Sequence, residues 1–169
     1  FGAMRLADAS SDEEAAKIVR TAYDAGINFF DVSHQTPASE KLLGEALFDI
    51  KRNVFLATTT AGKTSAELKS DLEESLMTLH CDTIDLYQLE VNKFLPLPEG
   101  TDKIYESLLE HKKNKKINHI GIVTTNLETA IKAVESDCYE TLQFPFNMVS
   151  AENTVELVKL CEEHDVGFI

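Results

Sequence analysis

The sequence predicts an α/β fold, a parallel sheet covered by helices, because six amphipathic helices alternate strictly with seven short apolar strands. Joints between the elements are short, which makes successive strands parallel neighbours. Periodicity alone does not choose between a doubly wound sheet and a closed barrel. The absence of a G-x-G-x-x-G turn after the first strand removes the usual mark of the doubly wound nucleotide-binding sheet and favours the barrel.

The first couplet sets the pattern. Residues 13–25 place Ala16, Ile18, Val19, Ala22 and Tyr23 at three-to-four spacing behind a Ser10/Ser11/Asp12 cap signal. Gly26 ends that helix, and Ile27–Val32 follows as a strand carrying Asp31 near its end. Helix 39–48 then precedes strand 53–59, helix 65–79 precedes strand 84–89, and helix 102–113 precedes strand 117–123. Helix 127–135 precedes strand 141–146, and helix 152–164 precedes strand 166–169. Gly2–Leu6 is expected to be a ragged first strand, and residues 1–169 one domain. The chain opens on Phe1 and stops at an apolar strand, so both ends read as cut. The one long joint, Val91–Gly100, holds Pro96, Pro98 and Gly100 after the fourth strand. It reads equally as a loop over a barrel's C-terminal face or as a stiffened spacer.

Composition narrows the function classes. Hydrophobic residues make up 43% and charged residues 27%, an ordinary globular balance. The net charge of −13 repels phosphate backbones and anionic lipid, which argues against nucleic-acid and membrane-surface partners. The basic run Lys112, Lys113, Lys115 and Lys116 falls at a helix end, where cations complement the dipole. No apolar run reaches the ~18 residues of a membrane span and no signal pattern opens the chain, so a cytoplasmic location is expected. Cys81, Cys138 and Cys161 are odd in number and widely spaced, which indicates reduced thiols, with neither a disulfide framework nor a metal site. His80, His111, His119 and His164 lack ligand spacing and are assigned no role.

Several segments together carry a resemblance: GINFFD at 26–31, SEKLLGEAL at 39–47, VFLAT at 54–58, DLEESLMTL at 71–79, DTIDLYQL at 82–89 and HIGI at 119–122. In order along the whole chain, they resemble the aldo-keto reductase family. QFPFN at 143–147 and CEEHDVGFI at 161–169 are most similar to the subgroup that often carries an iron–sulfur domain after the barrel. The resemblance implies an incomplete (β/α)8 barrel of the TIM type, since family members run to roughly twice this length. It also implies that the eighth strand and the segment gripping the cofactor's phosphate lie outside the chain. An open barrel leaves two strand edges exposed, so a homodimer or a partner chain covering them is expected.

The family's reaction is hydride transfer from NAD(P)H to a carbonyl, with Tyr as acid, Lys lowering its pKa, Asp holding the Lys and His orienting the carbonyl. Carried over by motif, Asp31 matches, as do Ser39 and Glu40, while the Tyr position is Thr36. A threonine hydroxyl is shorter than a phenol and far less acidic. The Lys position is Thr59 and the His position is Glu90, so only Asp31 of the four is retained. Lys63, four residues past Thr59, reads as a solvated loop lysine rather than a substitute. The Ser-Asn pair that contacts the nicotinamide amide corresponds to Val123 and Thr124, and Gln143 matches the remaining amide ligand. The cofactor implied by the resemblance is NADP(H), with eroded recognition. The expectation is therefore a reductase-lineage domain impaired in catalysis. The alternatives are an interaction or regulatory subunit, or a metal- or acid/base-dependent enzyme in which Asp31, Glu90 and His34 share one mouth.

Overall fold

The computed structural model describes residues 1–169. Helix α1 (Asp12–Asp24) leads into β1 (Phe29–Ser33), α2 (Pro37–Leu47) into β2 (Phe55–Thr60), and α3 (Ser65–Thr78) into β3 (Ile84–Glu90). Helix α4 (Ile104–Lys113) precedes β4 (Ile117–Val123), α5 (Leu127–Glu135) precedes β5 (Thr141–Gln143), and α6 (Glu152–Glu163) precedes β6 (Gly167–Phe168). The six strands are all parallel and pair in chain order, with no point at which the order reverses. A doubly wound sheet needs such a reversal. Consecutive order with right-handed crossovers instead lays every helix on one face and curls the sheet, giving an open half-barrel.

The helices form where the sequence supplies both a cap and an apolar stripe. Ser11 accepts from the N–H of Glu14 at the start of α1, Thr64 from that of Glu67 at α3, and Asn126 from that of Thr129 at α5. Thr64→Ala removes a cap on a helix whose Leu68 and Leu72 are buried against the sheet. It should cost about 1 kcal/mol, read as a fall in Tm of about 2–4 °C. The apolar core lies between the convex sheet face and the helices, where Phe30, Val32, Tyr87, Leu89, Ile120 and Ile122 meet Leu43, Leu68, Leu72 and Leu108. No helix is long and apolar enough to cross a membrane.

Two strand expectations are corrected. Gly2–Leu6 is not a strand: Gly2 makes one isolated parallel bridge to Asp31. The chain then turns, because the carbonyl of Ala3 accepts from Leu6 and a 3-10 turn follows at Leu6–Asp8. The sheet therefore has six strands where seven were expected. β5 stops at Gln143 rather than residue 146, two residues before Pro145, which has no N–H to give to a ladder. The joint after β3 is irregular through Gly100, as expected, and is pinned where the Tyr139 hydroxyl donates to the Pro96 carbonyl.

Candidate functional site at the strand ends

Side chains alternate across the sheet, so residues two apart on a strand share a face. On β2, Thr58 and Thr60 bond Glu40 and Asp71 of the outer helices, which turns Thr59 to the concave side. On β3, Tyr87 and Leu89 join the outer core, and Gln88 faces inward. Ladder pairing lines up Ser33, Thr59, Gln88, Gly121 and Thr141, with Glu90, Val123 and Gln143 in the next row outward.

The centre of the site is a carboxylate held by two amides. Gln88 Nε2 donates to Asp31 Oδ1 at 3.2 Å, and Gln143 Nε2 donates to Asp31 Oδ2 at 3.2 Å. Gln88 Nε2 also lies 3.0 Å from Gln143 Oε1 and 3.4 Å from the Thr59 hydroxyl oxygen. These contacts measure the curl of the sheet. β1 and β5 are four strand spacings apart, about 19 Å if the sheet were flat, a gap that an aspartate and a glutamine cannot bridge. The sheet must bend through a large part of a barrel for the two to touch.

Asp31 is only 7% exposed and none of its hydrogen-bond partners is charged. Burial therefore dominates and pushes its carboxyl up to about 6, against the opposing pull of Gln143, the N-terminal charge and Gln88. Gln88 is fully buried, and its Oε1 has no hydrogen-bond partner. Gly121 is needed beside it, because a Cβ there would run into the Thr141 hydroxyl and lie 3.1 Å from Leu86 Cδ1 and 3.2 Å from Gln88 Cγ.

The other predicted site residues fall around this centre in different ways. Thr59 touches it through Gln88, as above. Thr36 sits at the start of α2 and donates its hydroxyl to the Ser33 carbonyl at 2.9 Å. Glu90 ends β3 exposed to solvent. Thr124 is 2% exposed, and its hydroxyl oxygen accepts from the N–H of Asn126 at 3.1 Å. Lys63 is exposed in the loop after β2, with its backbone N–H bonded to Glu67.

The shared mouth expected for Asp31, Glu90 and His34 does not form. The His34 ring turns to the convex side, with Nδ1 3.2 Å from the Ser75 hydroxyl and Nε2 3.5 Å from Asp71 Oδ1. No three His, Cys, Asp or Glu side chains are arranged to hold a metal ion. The cysteines are free thiols. Burial pushes Cys81 up to about 11, which leaves it protonated and unreactive at neutral pH. Sequence reading missed Gln88, the residue at the middle of the network. Its sole signal was its position two residues before Glu90 on one strand face.

Comparison with known proteins agrees with this architecture. A probable aldo-keto reductase of Glycine max is 26% identical, covering all of this chain and 53% of the relative. An aldo-keto reductase from Bacillus halodurans in its holo form superposes with a TM-score of 0.87 at 22% identity, covering 100% of this chain and 59% of that one. An aldo/keto reductase from Klebsiella pneumoniae, solved in complex with NADP and acetate, gives 0.82 at 19% identity, covering 99% and 61%. The chain spans about half the length of the curated relatives it matches. The model of the aldo/keto reductase family matches residues 1–169 from end to end, and the chain belongs to that family.

Proposed function

We propose that this is a domain of carbonyl-oxidoreductase lineage that does not carry out the proton-coupled hydride transfer of its family. The observation that carries this reading is the environment of Asp31. In place of an ammonium, its carboxylate meets two neutral amides, and the hydroxyl at position 59 bonds one of them. Asp31 thus has no cation to hold, and the Thr36 hydroxyl is occupied by a backbone carbonyl. A weakly acidic alcohol with no neighbouring cation does not protonate a developing alkoxide at a useful rate.

The residues assigned to the nicotinamide are partly engaged within the protein in this arrangement. Gln143 donates to Asp31 while its oxygen faces Gln88, and the Thr124 hydroxyl caps its own turn. Gln143 thus has its amide oxygen and one N–H committed inside the protein, and we derive no step through NADP(H). QFPFN and CEEHDVGFI support placement near the subgroup with an appended iron–sulfur domain.

The test is NADPH oxidation with a panel of aldehydes and quinones. No turnover above the cofactor blank is expected, and Thr36→Tyr combined with Thr59→Lys should restore none in this chain. A second reading, acid/base chemistry at Asp31, is favoured by a carboxyl that titrates near 6. A companion reading gives the chain an interaction role, with a second copy or partner strand on the outer edges of β1 and β6. Sedimentation that finds only monomer at micromolar concentration would remove it.

A further inference from the structure

The network on the concave face is short of hydrogens. Gln88 Nε2 lies 3.2 Å from Asp31 Oδ1, 3.0 Å from Gln143 Oε1 and 3.4 Å from the Thr59 hydroxyl oxygen, so three acceptors converge on one nitrogen. An amide nitrogen brings two hydrogens and no charge. At the other end of the same amide, Gln88 Oε1 has no partner although the side chain is fully buried. The Thr141 hydroxyl oxygen, in the same row across Gly121, is also buried without a partner. Turning the amide over does not help by itself, because its oxygen would then face the Asp31 carboxylate.

The network is short of positive charge as well. Asp31 is 7% exposed and is hydrogen-bonded by neutral amides alone. The Phe1 ammonium lies near enough to act on it but donates to the Phe29 carbonyl at 2.7 Å. His119, which shares the row of Asp31, Ala57 and Leu86, is bonded to Glu140. Glu90, on the same face as Gln88 and about 7 Å further along β3, adds an exposed carboxylate at the rim. Thr141 and Gln143 are half-buried, so the network is reached from this side.

We propose that the concave face binds a primary alkyl ammonium, which lodges beside Asp31 and Gln143 Oε1 while the Gln88 amide turns over to add its orphaned oxygen. The ammonium supplies three hydrogens and the charge, the two things these oxygens lack. Turning the amide over exchanges oxygen for nitrogen in nearly the same volume, so β3 keeps its place. Val123, between Glu90 and Gln143 in the outer row, offers the alkyl chain an apolar contact. A carbonyl compound, itself an acceptor, meets mainly acceptors here and is the poorer ligand. The inference rests on the reading of Asp31 as a carboxylate without a bonded cation.

The probe is n-butylammonium chloride added to the full chain at about pH 8, where an alkyl ammonium is charged and Asp31, titrating near 6, is ionised. At about ten times its Kd it should raise Tm by roughly 3–6 °C. n-Butanol, which lacks the charge, and tetramethylammonium chloride, which lacks the N–H, should do nothing at equal concentration and ionic strength. Asp31→Asn should weaken binding by roughly tenfold or more, the loss of a hydrogen bond to a charged group. In the native chain, NMR should show the side-chain amide signals of Gln88 and Gln143 moving together as the ammonium is added. An equal response to tetramethylammonium, binding that survives Asp31→Asn, or amide signals that stay in place would overturn the proposal. NADPH turnover is not read in this assay, so the site can fail without the proposed loss of reductase chemistry failing with it.

Discussion

Asp31→Asn should make the protein more stable at pH 8, by about 1–3 kcal/mol, seen as a rise in Tm of roughly 3–10 °C. Removing a buried charge that no cation hydrogen-bonds relieves more than it loses. The native Asp31 carboxyl titrates near 6 rather than at its ordinary 3.8, so its folded-state pKa is raised. For a raised group, the stabilising contribution is present in full below about 3.8 and is lost as pH rises through about 6. Ionised Asp31 therefore costs about 3 kcal/mol of stability at pH 8, and Glu40, also raised by burial, acts in the same direction. Native protein should gain stability between pH 8 and pH 5, and Asp31→Asn should flatten that slope. Asparagine also adds an N–H beside a network in which Gln88 Oε1 has no donor. Thermal unfolding of both proteins across this range is the check. A variant less stable than native at pH 8 would mean that the two amide bonds outweigh the cost of burying the charge.

Gly44→Ala should destabilise the fold by about 3 kcal/mol or more, the upper range for overpacking a rigid site. Gly44 lies in α2, where a Cβ would collide with the Thr78 carbonyl oxygen and lie 2.8 Å from Leu79 Cα. Both obstacles are backbone at the end of α3, so no side-chain rotation relieves them. Alanine is the better helix former by about 1 kcal/mol, and the collision must exceed that gain. Denaturant unfolding should show a lower midpoint with an unchanged slope. A variant as stable as the native chain would show that α2 can slide away from α3 at little cost.

Much of the architecture was readable because it rests on local rules. The cap signal at Ser10/Ser11/Asp12 and the apolar periodicity of the later segments put helix starts within two residues of those observed. The failures have equally local causes. Gly2–Leu6 has strand-like composition, but one bridge and a tight turn decide its shape, and neither is visible in a period of two. β5, expected to reach residue 146, is cut short at Gln143, two residues before Pro145.

At the site, motif positions located Asp31 and Gln143 but not what joins them. Gln88 lies 57 residues from Asp31 and 55 from Gln143, and only the curl of the sheet brings the three together. The direction of His34 was lost for a different reason. A joint residue has no periodicity, so nothing local says which side of the sheet it faces, and the buried Glu40 and the hydroxyl of Ser75 draw it outward.

We propose that the lineage remains while the reductase chemistry is gone. The most direct test is steady-state NADPH oxidation by the protein at the length its source makes it, with aldehydes and quinones as acceptors. No carbonyl-dependent rate above the blank is expected. Turnover approaching the usual enzymatic range of about 1 s⁻¹ or more, abolished by Asp31→Asn or by Thr36→Val, would contradict it and return these residues to catalysis.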